Sequence, residues 1–246
     1  MFITSKNAIT EAIAKDLVKI LYVKYPLSKR EKDIIKLAER KKILIKIVDK
    51  TNKKETETII GKIDSIVADI KENAQIGIDS FLDNAIKEKS NPLIFILDSI
   101  TDVHNFGAIV RNAYFFGIAG IITAKDNSAP INEKVYEISE GAAYLIPISA
   151  ETNLNRVLEK MKDKGFWIYY ASEKGEIPLE DFKFDSPTAI IFGNEHSGVR
   201  ETIKKNSDGS VIINSLNDFD SLNVSAASAI IGYAYSVYLK LNSNLT

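Results

Sequence analysis

Residues 93–124 read LIFILDSITDVHNFGAIVRNAYFFGIAGIITA. The first eight are almost continuously apolar, the pattern of a strand buried on both faces of a parallel sheet. Residues 106–116 follow with apolar side chains at helical spacing. Gly117 is a natural terminator, because a left-handed residue after a helix is cheapest without a Cβ. AGIITA, 119–124, is a second strand. Strand, helix and strand in this order make a βαβ unit and predict an α/β fold. Arg111 resists the pattern: it puts a guanidinium, charged at any physiological pH, into a helix composed for a core.

The alternation continues downstream. The spacing predicts helices over 132–142 and 153–163, the latter ending near Gly165. Strands are expected in YLIPIS (144–149), FWIYYAS (166–172), TAIIFG (188–193) and SVIINS (210–215), and a long helix over 222–240 closes the chain. Upstream lies a smaller α/β unit. NAITEAIAKDL (7–17) has Ile9, Ala12, Ile13 and Leu17 on one helical face, followed by the strand KILYVKY (19–25). A second helix begins at Ser28, with Glu31 three residues on as in a capping box. ILIKIVD (43–49) and SIVADI (65–70) are further strands. The polar stretch 72–92, with one amphipathic piece, is expected to be a linker ending at Asn91-Pro92. The expected domains are therefore 1–73 and 93–246, joined by 74–92.

Composition narrows the chemistry. Of 246 residues, 45% are hydrophobic and 26% charged, ordinary for a soluble globular protein. Cysteine is absent, which excludes disulfides, thiolate metal sites and a cysteine nucleophile. The two histidines, His104 and His196, are too few for a histidine zinc site, so no metal is expected. No apolar run reaches the roughly 18 residues that would suggest a membrane span, and charges scattered through the first residues do not make a signal peptide. A cytoplasmic protein with no membrane partner is expected. The net charge of −1 conceals an asymmetry: residues 1–73 hold 17 Lys and Arg against 11 Asp and Glu (+6), and residues 74–246 hold 15 against 22 (−7). The excess gathers in 24–54. Docking to nucleic-acid phosphates explains it; so does a solvated lysine-rich surface.

Three polar clusters stand at strand ends, where open α/β sheets bind ligands. They are DSITDVHNFGAIVR (98–111), GNEHSG (193–198) and SLNDFDSLNVS (215–225). Each has a plain structural reading: Asn105 and Ser221 as helix caps, Gly193 and Gly198 as turn residues. No phosphate-binding or dinucleotide-binding glycine motif is present, and no nucleophile elbow.

Taken together, in order, the clusters resemble the three motifs of the SpoU/TrmH family of RNA ribose 2′-O-methyltransferases. N-x-G-x-x-x-R is met by Asn105, Gly107 and Arg111, G-x-E-x-x-G by Gly193, Glu195 and Gly198, and S-L-N-V-S by Ser221 to Ser225. ISEGAAYLIPI (138–148) is also similar to the family, and the first unit resembles the L30e-like RNA-binding domain of one branch. That branch modifies a guanosine of large-subunit (23S) ribosomal RNA. The resemblance implies a SPOUT-type α/β domain with a deep trefoil knot within about 188–240, S-adenosylmethionine as cofactor, RNA as substrate and a homodimer. It implies cofactor contacts around Gly193, Ile213 and Leu222, and catalytic roles for Arg111, Asn105, Glu195, Ser221 and Asn223. A tRNA ribose methyltransferase and a non-catalytic ribosome-assembly factor on the same fold are the alternatives; a small-molecule α/β enzyme would leave the basic unit unexplained.

Overall fold

The computed structural model describes residues 2–48, 65–71, 77–217 and 221–243. It divides into two compact units, one of residues 1–74 with 140–145, the other of residues 75–139 and 146–246.

The first unit contains β1 (Phe2–Ile3), α1 (Lys6–Ala14), β2 (Val18–Val23), α2 (Lys29–Arg40), β3 (Leu44–Ile47) and β4 (Ile66–Ile70). The sheet order is β1-β4-β2-β3, with β3 parallel to β2 and β4 antiparallel to both β1 and β2. α1 buries Ala8, Ile9, Ala12 and Ile13, as the periodicity predicts, but stops before Leu17. The capping box is formed: the Ser28 amide donates to Glu31 Oε2 at 2.6 Å, and the Glu31 amide donates to Ser28 Oγ at 3.4 Å. Glu31 also accepts from Lys6 Nζ at 2.8 Å and from the Ser65 hydroxyl. Those donors, Lys6 first, hold its carboxyl down at about 2. The end of the basic stretch, 49–54, lies outside the described residues.

The second unit holds a seven-stranded sheet of order β7-β6-β5-β10-β8-β11-β9, with every neighbouring pair parallel. Its strands are β5 (Leu93–Asp98), β6 (Gly120–Ala124), β7 (Ile148–Glu151), β8 (Trp167–Ala171), β9 (Ile177–Pro178), β10 (Thr188–Gly193) and β11 (Gly209–Ile212). All six residues of β5 are buried, as their continuous apolarity requires. The helices are α3 (Ile78–Glu88), α4 (Val103–Phe115), α5 (Glu133–Ile138), α6 (Leu154–Asp163), α7 (Glu201–Lys204) and α8 (Val224–Ser243). Phe81, Leu82, Leu158 and Met161 from α3 and α6 cover one face of the sheet, over Ile94, Ile96, Ile122 and Ile191. Alternation along the strands turns Phe95 and Phe192 the other way, and their rings meet edge to face at 4.9 Å.

Several expectations are corrected. The linker expected at 74–92 contains α3, whose Phe81, Leu82 and Ala85 are buried in the core, so the second unit's packing begins well before residue 93. Its apolar residues at three- and four-residue spacing form a face that must be covered. The helix expected at 132–142 stops at Ile138, because Glu140 (φ 50°) and Gly141 (φ 85°) are left-handed. α8 is sufficiently long and apolar to cross a bilayer by length and composition, at a mean hydropathy of 1.2 over Val224–Asn242, against the expectation of no such run. It is instead fastened to α4: Asn112 Nδ2 donates to the Ser225 carbonyl at 2.9 Å and to Ser228 Oγ at 3.1 Å. Gly232 lets the Phe116 ring approach, since a Cβ there would sit 2.8 Å from it.

Candidate functional site

The site is built where β5 and β10 end together, with Gly193 opposite Asp98 in the register. Beyond β5 the chain turns through Ser99 (φ 63°) into α4. Asp102 caps this helix, its Oδ1 accepting from the His104 amide at 2.6 Å and the Asn105 amide at 3.1 Å. The cap is therefore Asp102, not Asn105, and the Asn105 side chain is released for other work. Gly107 serves packing: a Cβ there would lie 2.7 Å from Ile138, so glycine lets α5 seat on α4.

Beyond β10 the chain doubles back. Asn194 and Gly198 pair across the turn at 2.8 and 3.2 Å. Asn194 Oδ1 accepts from the His196 and Ser197 amides at 3.0 and 3.2 Å. Gly198 is left-handed at φ 67°, and a Cβ on Gly193 would fall 2.2 Å from the Gly198 backbone. Both glycines are thus required by the tight return. The doubled loop presents Glu195.

Three polar residues distant in sequence meet here. Asn105 Nδ2 donates to Glu195 Oε1 at 2.7 Å, and Asn223 Nδ2 donates to Asn105 Oδ1 at 3.0 Å. Asn223 Oδ1 accepts from the Ser225 amide at 2.8 Å and its hydroxyl at 2.6 Å, which makes Asn223, rather than Ser221, the residue that caps α8. A carboxylate only accepts, so the Glu195–Asn105–Asn223 chain has one direction: each amide donates toward the negative end. Arg111 lies six residues beyond Asn105 on α4, roughly 9 Å along the axis and a third of a turn round it. Its side chain is exposed. The buried stripe of α4 is Phe106, Gly107, Ile109, Val110 and Ala113, so an outward Arg111 is compatible with a core-forming helix.

The loops at the ends of β8, β10 and β11 enclose a cavity of about 610 Å³. Gly193, Ile213 and Leu222 line it, as do Glu195, Ser221 and Asn223. That volume is in the range of small-molecule sites. Residues 193–198 and 211–215 line it, together with Tyr170, Glu173 and Lys204. Glu201 holds Lys204 charged by a 2.7 Å hydrogen bond, raising its pKa, and the ammonium stands 5.9 Å over the Tyr170 ring. Among the described residues no cluster of three or more His, Asp or Glu is placed to hold a metal ion.

Sequence reasoning missed the ties that hold the doubled loop. Asp98 is fully buried (0% exposed); its carboxylate accepts from the Arg200 amide at 3.0 Å and from Nε at 2.7 Å, and Nη2 forms an ion pair with it at 2.7 Å. Asn194 Nδ2 donates to the Ser99 carbonyl at 3.0 Å. The available signal was an aspartate closing an otherwise apolar strand, which burial makes costly unless it is paired.

Comparison with known proteins gives the family. Residues 92–233, more than half of the chain, match the SpoU rRNA Methylase family. The 23S rRNA (guanosine-2′-O-)-methyltransferase RlmB of Vibrio parahaemolyticus is 34% identical over 165 residues, 67% of this chain and 66% of that enzyme. The match to that relative thus spans about two thirds of its length. RlmB of Photobacterium profundum is 31% identical over 227 residues, 91% of this chain and 92% of that enzyme. Among solved structures, the SpoU methyltransferase AviRb of Streptomyces viridochromogenes, in complex with AdoMet, superposes with a TM-score of 0.75 at 20% identity, over 98% of this chain and 91% of that one. At that identity the likeness speaks for the fold.

Proposed function

The chain belongs to the SpoU rRNA methylase family, and on that premise we propose that it transfers a methyl group from S-adenosylmethionine to a ribose 2′-hydroxyl, in a guanosine of large-subunit ribosomal RNA. It is an S-adenosylmethionine-dependent RNA (ribose-2′-O)-methyltransferase. The observation that carries this reading is the hydrogen-bonded chain Glu195–Asn105–Asn223, which joins the three motifs and whose two ends, Glu195 and Asn223, line the cavity.

The cavity suits the cofactor. It has the volume for a nucleoside with an amino-acid tail, backbone groups for a planar base, and both Glu173 and Lys204 for a zwitterion. Gly193, Ile213 and Leu222 hold the cofactor there, Gly193 because its missing side chain leaves the wall open. When bound, S-adenosylmethionine supplies an electrophilic methyl on a sulfonium. The protein's share is to bring a ribose oxygen to about 3 Å and to ease loss of its proton. Arg111 is a poor base, since a guanidinium titrates above about 12. It grips the phosphate beside the target ribose and stabilises the developing alkoxide. Glu195 and Asn105 orient the polar face toward that point, and Ser221 and Asn223 complete it.

In the same reading the deep trefoil knot of the SPOUT fold falls within about 188–240. The first unit is an L30e-like RNA-binding domain, its surplus of +6 over residues 1–73 meeting RNA phosphates. The enzyme works as a cytoplasmic homodimer. Phe115, 79% exposed, and Tyr233, 61% exposed, support this, because α4 and α8 thereby carry aromatic surface on their outer sides.

The test is methyl transfer from isotope-labelled S-adenosylmethionine to unmodified rRNA and tRNA pools, followed by nucleoside mass spectrometry. Labelled 2′-O-methylguanosine from rRNA is expected. Label in tRNA alone would move the protein to a tRNA ribose methyltransferase. Cofactor binding without label in either would point to an assembly-stage substrate or to a non-catalytic assembly factor.

A further inference from the structure

Asp98 and Arg200 are 102 residues apart and belong to no motif. Asp98 is the last residue of β5, an interior strand of the sheet, and is fully buried. Taking a carboxylate out of water costs several kcal/mol, and the cost is met only with good geometry and full hydrogen bonding. Both conditions hold. Oδ2 accepts from the Arg200 amide at 3.0 Å, Oδ1 accepts from Nε at 2.7 Å and from the Ser99 hydroxyl at 3.3 Å, and Nη2 forms an ion pair with Oδ1 at 2.7 Å. The guanidinium side chain is itself 51% exposed, so one charge of the pair stays hydrated.

The position of the pair is informative. Arg200 follows Gly198 by two residues, where the doubled loop 193–198 rejoins the body of the unit. A second tie, Asn194 Nδ2 to the Ser99 carbonyl at 3.0 Å, fastens the start of the same loop to the residue after Asp98. The loop is held at both ends to the end of β5, and between the ties Glu195, His196, Ser197 and Gly198 line the cavity. Its tight return leaves no slack, with Gly193 too near the Gly198 backbone for any Cβ.

We propose that Asp98 and Arg200 are a positioning pair: their ion pair fixes the 193–198 loop in the conformation that binds the cofactor and keeps Glu195 within reach of Asn105. This rests on the cofactor site proposed above. Without the pair the loop samples other arrangements. Apparent affinity then falls by the fraction of molecules still competent, so a competent fraction of about one tenth raises the dissociation constant about tenfold.

The experiment is calorimetric titration of the full-length protein with S-adenosylmethionine, alongside thermal melting, for the unaltered protein, Arg200→Lys, Arg200→Met and the double variant Asp98→Asn/Arg200→Met. Arg200→Met leaves a buried carboxylate unpaired and should lower both melting temperature and affinity. The double variant removes that charge and should recover most of the melting temperature while its dissociation constant stays about tenfold or more above that of the unaltered protein. Arg200→Lys keeps the charge without the planar fork and should bind between the two. Recovery of affinity together with melting temperature in the double variant would make the pair a purely structural tie and overturn the proposal. So would unchanged affinity in Arg200→Met. If the unaltered protein fails to bind S-adenosylmethionine, the cofactor reading itself fails and takes this proposal with it.

Discussion

Each unit buries one acidic residue, among those described, against one basic partner: Glu31 with Lys6 in the first, Asp98 with Arg200 in the second. The chemistry is alike and the reach is not. Glu31 bonds to Ser28, three residues away, and ties α2 to α1 and to the start of β4. Asp98 reaches across 102 residues to the loop that walls the cavity. The Glu31 carboxylate closes a helix end, which any helix needs, and its longer bonds, to Lys6 and Ser65, join elements of one small unit. The Asp98 carboxylate fixes the relative placement of two strand ends, which a site needs. The first unit is therefore held by elements that also serve as its surface. The second joins Glu195, Asn105 and Asn223 in one hydrogen-bonded chain at the strand ends.

The comparison can be pressed at four points, beginning with the greatest expected effect. Arg111→Ala should reduce methyl transfer to rRNA roughly 10²–10³-fold while leaving the S-adenosylmethionine dissociation constant within about twofold; loss of cofactor binding would remove Arg111 from the substrate side. Gly193→Ala introduces a Cβ only 2.2 Å from the Gly198 backbone. The loop must open, and cofactor affinity should fall on the order of tenfold or more by calorimetry. A normal affinity would mean that the loop does not form the binding wall.

The third test concerns the first unit. Lys29, Lys32 and Lys36 on α2 are exposed, and replacing all three with Gln should lessen the salt dependence of RNA binding by a slope of about 0.9 for each charge that meets a phosphate. An unchanged slope would make this face solvated surface. The smallest effect is at Glu31. Its carboxyl is held at about 2 against an ordinary 4.5, so its stabilisation is complete above pH 4.5 and is lost as pH falls from 4.5 toward 2. Glu31→Gln should cost the first unit about 1–2 kcal/mol at neutral pH and flatten the acid side of its stability profile. Chemical denaturation from pH 7 to pH 3 reads both.

The predicted elements were legible wherever the signal was local. The apolar run 93–98, the helical spacing from Phe106 to Ala113, Gly117 and Gly165 in left-handed positions, and the Ser28–Glu31 box were all present in short windows. Asn105, Glu195 and Asn223 were found by resemblance to a family, and the fold brings them into one hydrogen-bonded chain. What escaped was mainly non-local, the Asp102 cap being the local exception. α3 read as linker because its amphipathic face has meaning only against the sheet. Gly107 read as part of a motif, although its visible contact is the close approach of Ile138. Asp102 went unnoticed as the cap of α4, which left Asn105 with a duty it does not perform.

By itself, then, the sequence determined the α/β class, the order of most of the elements, the charge contrast between the two units and the polar clusters at the ends of strands, because backbone propensity and burial periodicity act over a few residues. Tertiary structure alone decided that Asn105 donates to Glu195 across 90 residues and Asn223 to Asn105 across 118, and that Asp98 anchors Arg200. Those bonds exist because parallel strands lying side by side bring their carboxyl ends together, and no short window of sequence records which strands those are.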